Sequence, residues 1–143
     1  MKIVVATDGS VIAERALRAA LDLASKLCEP FEVDVVAVVD YVTAPAGLGK
    51  APVMAPDLLT TEAEAALAVA HNLAAERGIG IRTTMLHGHV AREVLAYADA
   101  VGADLLVVGT HGRRGIVHSM LGSACEQIVR DSPVPVLTVH TAA

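Results

Sequence analysis

The chain has 143 residues, of which 54% are hydrophobic, and its formal net charge is −5. An acidic chain lacks the basic surface by which nucleic-acid-binding proteins hold phosphates, so no nucleic-acid partner is expected. No apolar run approaches the roughly 20 residues that a membrane-spanning helix needs, so no association with a membrane is expected either.

The length favours a single domain over residues 1–143 with a sizeable core. One Phe, two Tyr and no Trp imply that this core is built mainly from small aliphatic side chains. Met1 and Lys2 lead directly into a short apolar run, which is not the pattern of a signal peptide. Cys28 and Cys125 show no metal-binding or redox spacing. The expected location is the reducing cytoplasm.

Apolar runs typical of buried strands alternate along the chain with amphipathic stretches typical of helices. The expected strands are Ile3–Ala6, Val33–Val39, Ile81–Leu86, Asp104–Val108 and Pro135–His140. The expected helices are Val11–Leu27, a stretch from Thr61 to Arg77, Val90–Val101 and roughly Ser119–Arg130. The polar alternation of the third strand predicts a sheet edge.

Local signals refine the predicted boundaries of the first two helices. Ser10 is a good N-cap for the first helix. Thr61 followed by Glu64 matches a capping box at the start of the second. Residues 42–57, which are rich in proline, are predicted to form a long loop.

Strands that alternate with helices predict a parallel sheet covered by helices on both faces. Ligands of such sheets bind at the carboxyl ends of the strands, where the strand order reverses. If the reversal lies between the first and fourth strands, Thr7 and Asp8 come close to Gly109.

A glycine-rich turn joins the fourth strand to the last helix. It reads Gly109-Thr110-His111-Gly112, then nine residues, then Gly122-Ser123. Glycine lets the backbone approach a phosphate closely, and the first N–H groups of a helix lack intrahelical partners. The turn is therefore a candidate phosphate site.

With these residues the chain resembles the universal stress protein family. ATP-binding members of that family carry a glycine, two residues, a glycine, nine residues, then glycine and Ser or Thr, and the spacing here is complete. The opening segment Ile3–Ser10, the second strand from Val35 to Asp40 and the closing segments 102–109 and 132–137 are also similar to the family's.

The resemblance implies a doubly wound, five-stranded parallel sheet of order 3-2-1-4-5, of the adenine-nucleotide alpha-hydrolase-like type. It also implies ATP with Mg²⁺ at the switch point, a homodimer formed through Val136–Val139 and an unknown signalling partner. Carried over by position, the residues expected to bind nucleotide are Ala6, Thr7, Asp8, Val38, Gly109, Thr110, His111, Gly112, Arg113, Gly122, Ser123 and Ala124.

Within this set the resemblance implies different roles. Ala6, Thr7, Asp8 and Val38 would line the adenine and ribose side, with Gly109 by the ribose. Backbone N–H groups of Gly112, Gly122, Ser123 and Ala124, with the hydroxyl of Ser123, would meet the phosphates. Arg113 and Arg114, which this chain carries beside the motif, could supply positive charge in place of a P-loop lysine. Asp8 has an alternative role as a cap of the first helix.

The turn is not a Walker A motif, because it has no Gly-Lys-Ser/Thr sequence. No motif places a general base either. The resemblance implies a nucleotide-dependent stress or signalling module, and the lack of these motifs predicts one without efficient catalysis and without catalytic residues. A slow ATPase, autophosphorylation on Ser119 or Ser123, and a nucleotide-free dimeric scaffold remain alternatives.

Other classes of site fit the residues less well. An adenylyl transferase would need a His-x-x-His signature where Thr7-Asp8-Gly9-Ser10 stands. A receiver-like phosphoacceptor would need an acidic pair where Asp8 stands alone. His87 and His89 fall short of the three protein ligands of a catalytic zinc site, so no metal site is expected. Cys125 is expected to be a small buried hydrophobe.

Overall fold

A computed structural model describes residues 1–40, 56–112 and 121–140 of the chain. This part contains strands and helices in strict alternation, as the sequence predicts. They are β1 (Lys2–Ala6), α1 (Val11–Ala24), β2 (Glu32–Val39), α2 (Pro56–Ala75), β3 (Arg82–His87), α3 (Val90–Val101), β4 (Leu105–Gly109), α4 (Ser123–Asp131) and β5 (Val136–Val139). Over the residues described, none of the helices is long and apolar enough to cross a membrane.

The strands form one parallel sheet of order β3-β2-β1-β4-β5, which confirms the predicted fold and topology. The strand order reverses between β1 and β4, which pair from Ile3 opposite Leu105 to Val5 opposite Val107. Their carboxyl ends, at Ala6 and Gly109, therefore lie side by side. The polar strand β3 is at an edge, also as predicted.

Apolar clusters lie on both faces of the sheet, and this explains the continuous apolar runs of the central strands. Val5 packs in the cluster beneath α1 and α2, whereas Val4 packs in the cluster beneath α3 and α4. Both side chains are fully buried. Neighbouring residues of β1 thus fill opposite layers of the core.

Most boundaries follow the local signals in the sequence. The strand ends lie within one residue of the predicted ones, and α3 spans Val90–Val101 as predicted, ending at Gly102 with a φ of 65°. Ser10 caps α1 by accepting a hydrogen bond from the N–H of Ala13 at 3.2 Å. Helix α1 ends at Ala24, three residues before the predicted Leu27.

The predicted start of the second helix is wrong. Helix α2 begins at Pro56, so Thr61 lies inside the helix and is not its N-cap. The Thr61 hydroxyl donates to the carbonyl oxygen of Asp57, one turn earlier, at 2.8 Å. Proline has no backbone N–H, and it suits the first helical position because an N–H there would have no intrahelical partner. The rest of the predicted 42–57 loop, residues 42–55, lies outside the described part.

The predicted start of the last helix is wrong in the opposite direction, because α4 starts later than predicted. Its first residue is Ser123 and its N-cap is Gly122, which has extended backbone with φ −69° and ψ 153°. Leu121 is likewise not helical, and residues 119 and 120 lie outside the described residues. The later start places Ser123 and Ala124 in the first helical turn, where their N–H groups have no intrahelical partners.

Candidate functional site

A cleft of about 450 Å³ lies at the carboxyl ends of β1, β2 and β4. This volume lies in the range of small-molecule sites. The first turns of α3 and α4 form one wall of the cleft, and Leu59, Glu62 and Ala63 of α2 contribute to the other. Parallel strands and the helices that follow them have thus brought distant parts of the chain to one site.

Every site residue predicted from the sequence that the structure describes lines this cleft. These residues are Ala6, Thr7, Asp8, Val38, Gly109, Thr110, His111, Gly112, Gly122, Ser123 and Ala124. The remaining one, Arg113, lies outside the described residues, as does Arg114.

The turn after β1 holds the Asp8 carboxylate in place. Asp8 Oδ1 accepts a hydrogen bond from the N–H of Ser10 at 2.9 Å, and Thr7 Oγ1 accepts one from the N–H of Gly9 at 3.2 Å. Gly9 has a φ of 76°, which glycine adopts without strain. Ser10 rather than Asp8 caps α1, so the alternative role for Asp8 as the helix cap is wrong.

The Asp8 carboxylate lies against the glycine turn. A β-carbon at position 112 would stand 2.6 Å from Asp8 Oδ2, which is too close for a non-bonded contact between carbon and oxygen. Gly112 thus allows the turn after β4 to approach the turn after β1. Two predicted site residues, 104 positions apart in the sequence, are in direct contact.

Gly122 closes the glycine turn with a backbone hydrogen bond. Its N–H donates to the carbonyl oxygen of Thr110 at 2.7 Å, and a β-carbon at 122 would stand 3.1 Å from the same oxygen. The expectation that Gly122 offers its N–H to a phosphate is therefore wrong. The first N–H groups of α4, those of Ser123 and Ala124, have no intrahelical partner.

Thr110 anchors the turn to the edge of the sheet. Its N–H donates to the carbonyl oxygen of Val139 at 2.9 Å, and the residue is only 4% exposed. Its hydroxyl lies 3.2 Å from Nδ1 of His111. The side chain of His111 is thus held beside the turn, at the wall of the cleft.

One side of the cleft is an apolar lobe between α3, α4 and the sheet. The side chains that form it are Val36, Val38, Val90, Val94, Val108, Cys125 and Ile128. Cys125 is 5% exposed, which confirms that it is a small buried hydrophobe. Burial raises the pKa of its thiol, so the side chain stays neutral and apolar.

The charged side chains among the described lining residues are all acidic. They are Asp8, Asp40 and Glu62. The described lining contains no Lys or Arg, and its two histidines are His89 and His111.

Comparison with known proteins identifies the family. A model of the universal stress protein family matches residues 1–140. The chain belongs to this family. The universal stress protein MJ0531 of Methanocaldococcus jannaschii is 36% identical over 139 residues, which cover 96% of this chain and 81% of that protein.

Solved structures share the fold of this universal stress protein. The hypothetical protein MJ0577 of M. jannaschii is 26% identical with a TM-score of 0.79, over 99% of this chain and 96% of that one. A universal stress protein in complex with cAMP is 28% identical with a TM-score of 0.72, over 99% and 98% of the two chains. The Archaeoglobus fulgidus universal stress protein in complex with dAMP is 26% identical with a TM-score of 0.71, over 97% of each chain.

Sequence reasoning missed several lining residues of this universal stress protein. Val90 and Val94 lie on one helix face, a periodicity that the sequence shows, but nothing in it indicated that this face lines a cleft. Gln127 carried no motif signal, whereas His89 was considered only together with His87, as a metal ligand. Asp40 follows the carboxyl end of β2, and this position could have identified it, because ligands bind at the carboxyl ends of parallel strands.

Proposed function

We propose that the cleft binds an adenine nucleotide, ATP with Mg²⁺, and that the protein is a nucleotide-dependent stress or signalling module without efficient catalysis. The observation that carries this proposal is the convergence of the three motif glycines and Ser123 with Asp8 and Val38 around one cleft. Structural neighbours in complex with cAMP and dAMP support the same class of ligand.

The N-terminal end of α4 suits the phosphates. The N–H groups of Ser123 and Ala124 lack intrahelical partners, and the helix dipole places partial positive charge there. Gly112 and Gly122 keep the adjoining backbone free of side chains, so a phosphate can approach it closely.

The other side of the cleft suits a nucleoside. The apolar lobe offers an aromatic base a surface of valine and isoleucine side chains, and burial of apolar area favours binding. The Asp8 carboxylate, held by Ser10, can accept a hydrogen bond from a ribose hydroxyl. Phosphate, ribose and base thus each meet a suitable wall.

The charges of the described lining favour binding of the metal complex over the free nucleotide. Three carboxylates repel a free triphosphate, and a divalent cation bound to the phosphates reduces that repulsion. Mg²⁺ is commonly held by one or two carboxylates together with phosphates and water. Asp8 has the appropriate chemistry for such a contact.

The same lining supports binding without efficient phosphoryl transfer. Enzymes that transfer phosphoryl groups stabilise the developing charge with positioned Lys or Arg side chains. Among the described lining residues neither type occurs. A slow ATPase is the alternative that hydrolysis assays on the same preparation would reveal.

Calorimetric titration with Mg-ATP tests the proposal. We expect saturable binding to the wild type and a loss of at least about ten-fold in affinity for Gly122→Val, because the added side chain fills the turn beside Thr110. EDTA should weaken the binding of ATP to the wild type.

Gly80→Val is the matched control, since a β-carbon at Gly80 meets nothing within 4 Å and Gly80 does not line the cleft. This variant should bind as the wild type does. Absence of heat with the wild-type protein, for ATP, ADP and AMP alike, would contradict the proposed function and favour the nucleotide-free scaffold.

We further propose that two copies of the chain pair through β5. In the part of the chain that the structure describes, β5 pairs only with β4, so its outer backbone edge has no strand beside it. Leu137 of this strand is 38% exposed. An apolar strand at an open sheet edge is a natural pairing surface.

A further inference from the structure

Two polar side chains, His89 and Gln127, form a rim at one end of the apolar lobe. Each lines both the cleft and the neighbouring groove that Arg92, Leu95 and Asp131 complete between α3 and α4. Both residues are partly buried. The rim therefore stands between the apolar lobe and solvent.

Within the described part of the chain, neither rim side chain makes a hydrogen bond or an ion pair. His89 is the N-cap residue of α3, but its ring does not cap the helix. A partly buried amide without a partner is unfavourable unless solvent or a ligand satisfies it. The rim is thus available for a ligand in the lobe.

The position of Gln127 on α4 relates it to the phosphate end of the cleft. Gln127 follows Ser123 by four residues, so the two share one side of the helix and stand about 6 Å apart along its axis. One helix therefore presents N–H groups at its start and a side-chain amide one turn later. The amide of Gln127 is therefore one helical turn further along α4 than the end proposed to bind the phosphates.

We propose that Gln127 determines base specificity by pairing with the N6 and N7 edge of adenine; this proposal rests on the proposed function. A carboxamide places one acceptor and one donor side by side in a plane. The acceptor matches the 6-amino group and the donor matches N7, which is the pairing that glutamine makes with adenine elsewhere. A single ring nitrogen of His89 cannot make both bonds at once.

The test compares ATP with two analogues in the presence of Mg²⁺. Purine riboside triphosphate lacks the 6-amino group, and 7-deaza-ATP lacks N7. Wild-type protein should bind each analogue roughly five- to ten-fold more weakly than ATP, since each loses one of the two hydrogen bonds. This comparison needs no variant and so does not depend on the folding of one.

Gln127→Ala completes a double-mutant cycle between protein and ligand. The variant should bind ATP about five- to a hundred-fold more weakly than the wild type, and its affinities for ATP and both analogues should become equal. Asn72→Ala is the matched control, because it removes an exposed amide from α2 that does not line the cleft. Its three affinities should equal those of the wild type.

The outcomes separate the two proposals. Failure of ATP to bind the wild type would overturn the proposed function and this inference with it. Binding of ATP and both analogues with equal affinity would overturn only the role of Gln127. The same holds if Gln127→Ala keeps the discrimination between ATP and its analogues while His89→Ala loses it.

Discussion

Gly109 and Gly112 stand three residues apart in one motif but meet different surroundings. A β-carbon at Gly109 would stand 2.8 Å from Cγ2 of Ile12 and 3.3 Å from the backbone nitrogen of Ala13, within the packed contact between β4 and α1. At Gly112 the obstacle is the end of the Asp8 side chain. Gly109 thus serves packing, whereas Gly112 serves the position of a site carboxylate.

Alanine substitutions should separate these two roles. Gly109→Ala should lower the free energy of unfolding by about 1–3 kcal/mol, because a methyl group is forced into a close-packed contact. Gly112→Ala should lower the free energy of unfolding by less than about 1 kcal/mol, since the Asp8 side chain can move away from the added methyl group. It should weaken ATP binding roughly ten-fold or more by displacing Asp8. Urea denaturation and calorimetry measure the two effects, and equal loss of stability in both variants would contradict this division.

Individual site residues could be predicted from the sequence where the residue type and its place at a strand end determine the role. Glycine spacing, the strand exits and Asp8 can be read from residue types, and their lining positions follow from the topology. The hydrogen bond from Gly122 to Thr110 could not be predicted, because it depends on how the turn folds back. Gln127 was missed because its relevance arises only from the packing of α4 beside α3.

Helices α1 and α2 show how similar sequence signals lead to different structures. Ser10 has extended backbone just before α1, and its side chain accepts a hydrogen bond from the N–H of Ala13 in the first turn. Thr61 and Glu64 together match a capping box, yet α2 begins five residues before Thr61, at Pro56. Propensity favours continuation through Leu58 and Leu59, and Leu59 and Ala63 pack against Val39. Tertiary contacts with the sheet thus extend α2 beyond its apparent cap.

Serine and threonine at these two positions should differ in their effect on stability. Ser10→Ala should lower the free energy of unfolding by about 1 kcal/mol, because the first turn of α1 loses its cap. Thr61→Ala should change it by no more than about 0.5 kcal/mol, since an exposed mid-helix threonine gives way to a better helix former. Chemical denaturation of both variants measures this. A larger loss of unfolding free energy for Thr61→Ala would contradict this and would favour the predicted capping box at Thr61.

The five strands could be predicted to within one residue, whereas two helix starts could not. A strand buried on both faces is marked by its own apolar side chains, as Val4 and Val5 show. A helix start depends on the balance between local caps and contacts with distant elements. The two errors concern the starts of α2 and α4, and both helices contribute residues to the lining of the cleft.

For the molecule as a whole, the proposed dimer depends on the open edge of β5. Leu137 belongs to none of the buried clusters of the described residues, although it lies in the middle of an apolar strand. Leu137 is 38% exposed in the folded monomer. It is suited to contact with a second copy about a two-fold axis.

Leu137→Lys should therefore weaken the proposed dimer with little effect on folding. We expect the mass from sedimentation velocity to fall from two chains to one at micromolar concentration, because a charge would be buried without a partner. Val69→Lys is the matched control, since Val69 is 42% exposed on α2, away from β5. A wild-type protein that sediments as a monomer would contradict the dimer, as would a dimer that Leu137→Lys leaves intact.

The two edges of the sheet differ in chemistry, and this difference limits how large an assembly can grow. The outer strand β3 begins with Arg82, Thr83 and Thr84, and the Arg82 guanidinium lies 3.4 Å from the buried Asp34 carboxylate. Polar and charged side chains discourage a further strand from adding there. Pairing of two copies through β5 uses the apolar edge of each and leaves only polar edges outside. Such an assembly closes at two chains, whereas a sheet with two apolar edges would extend into a filament.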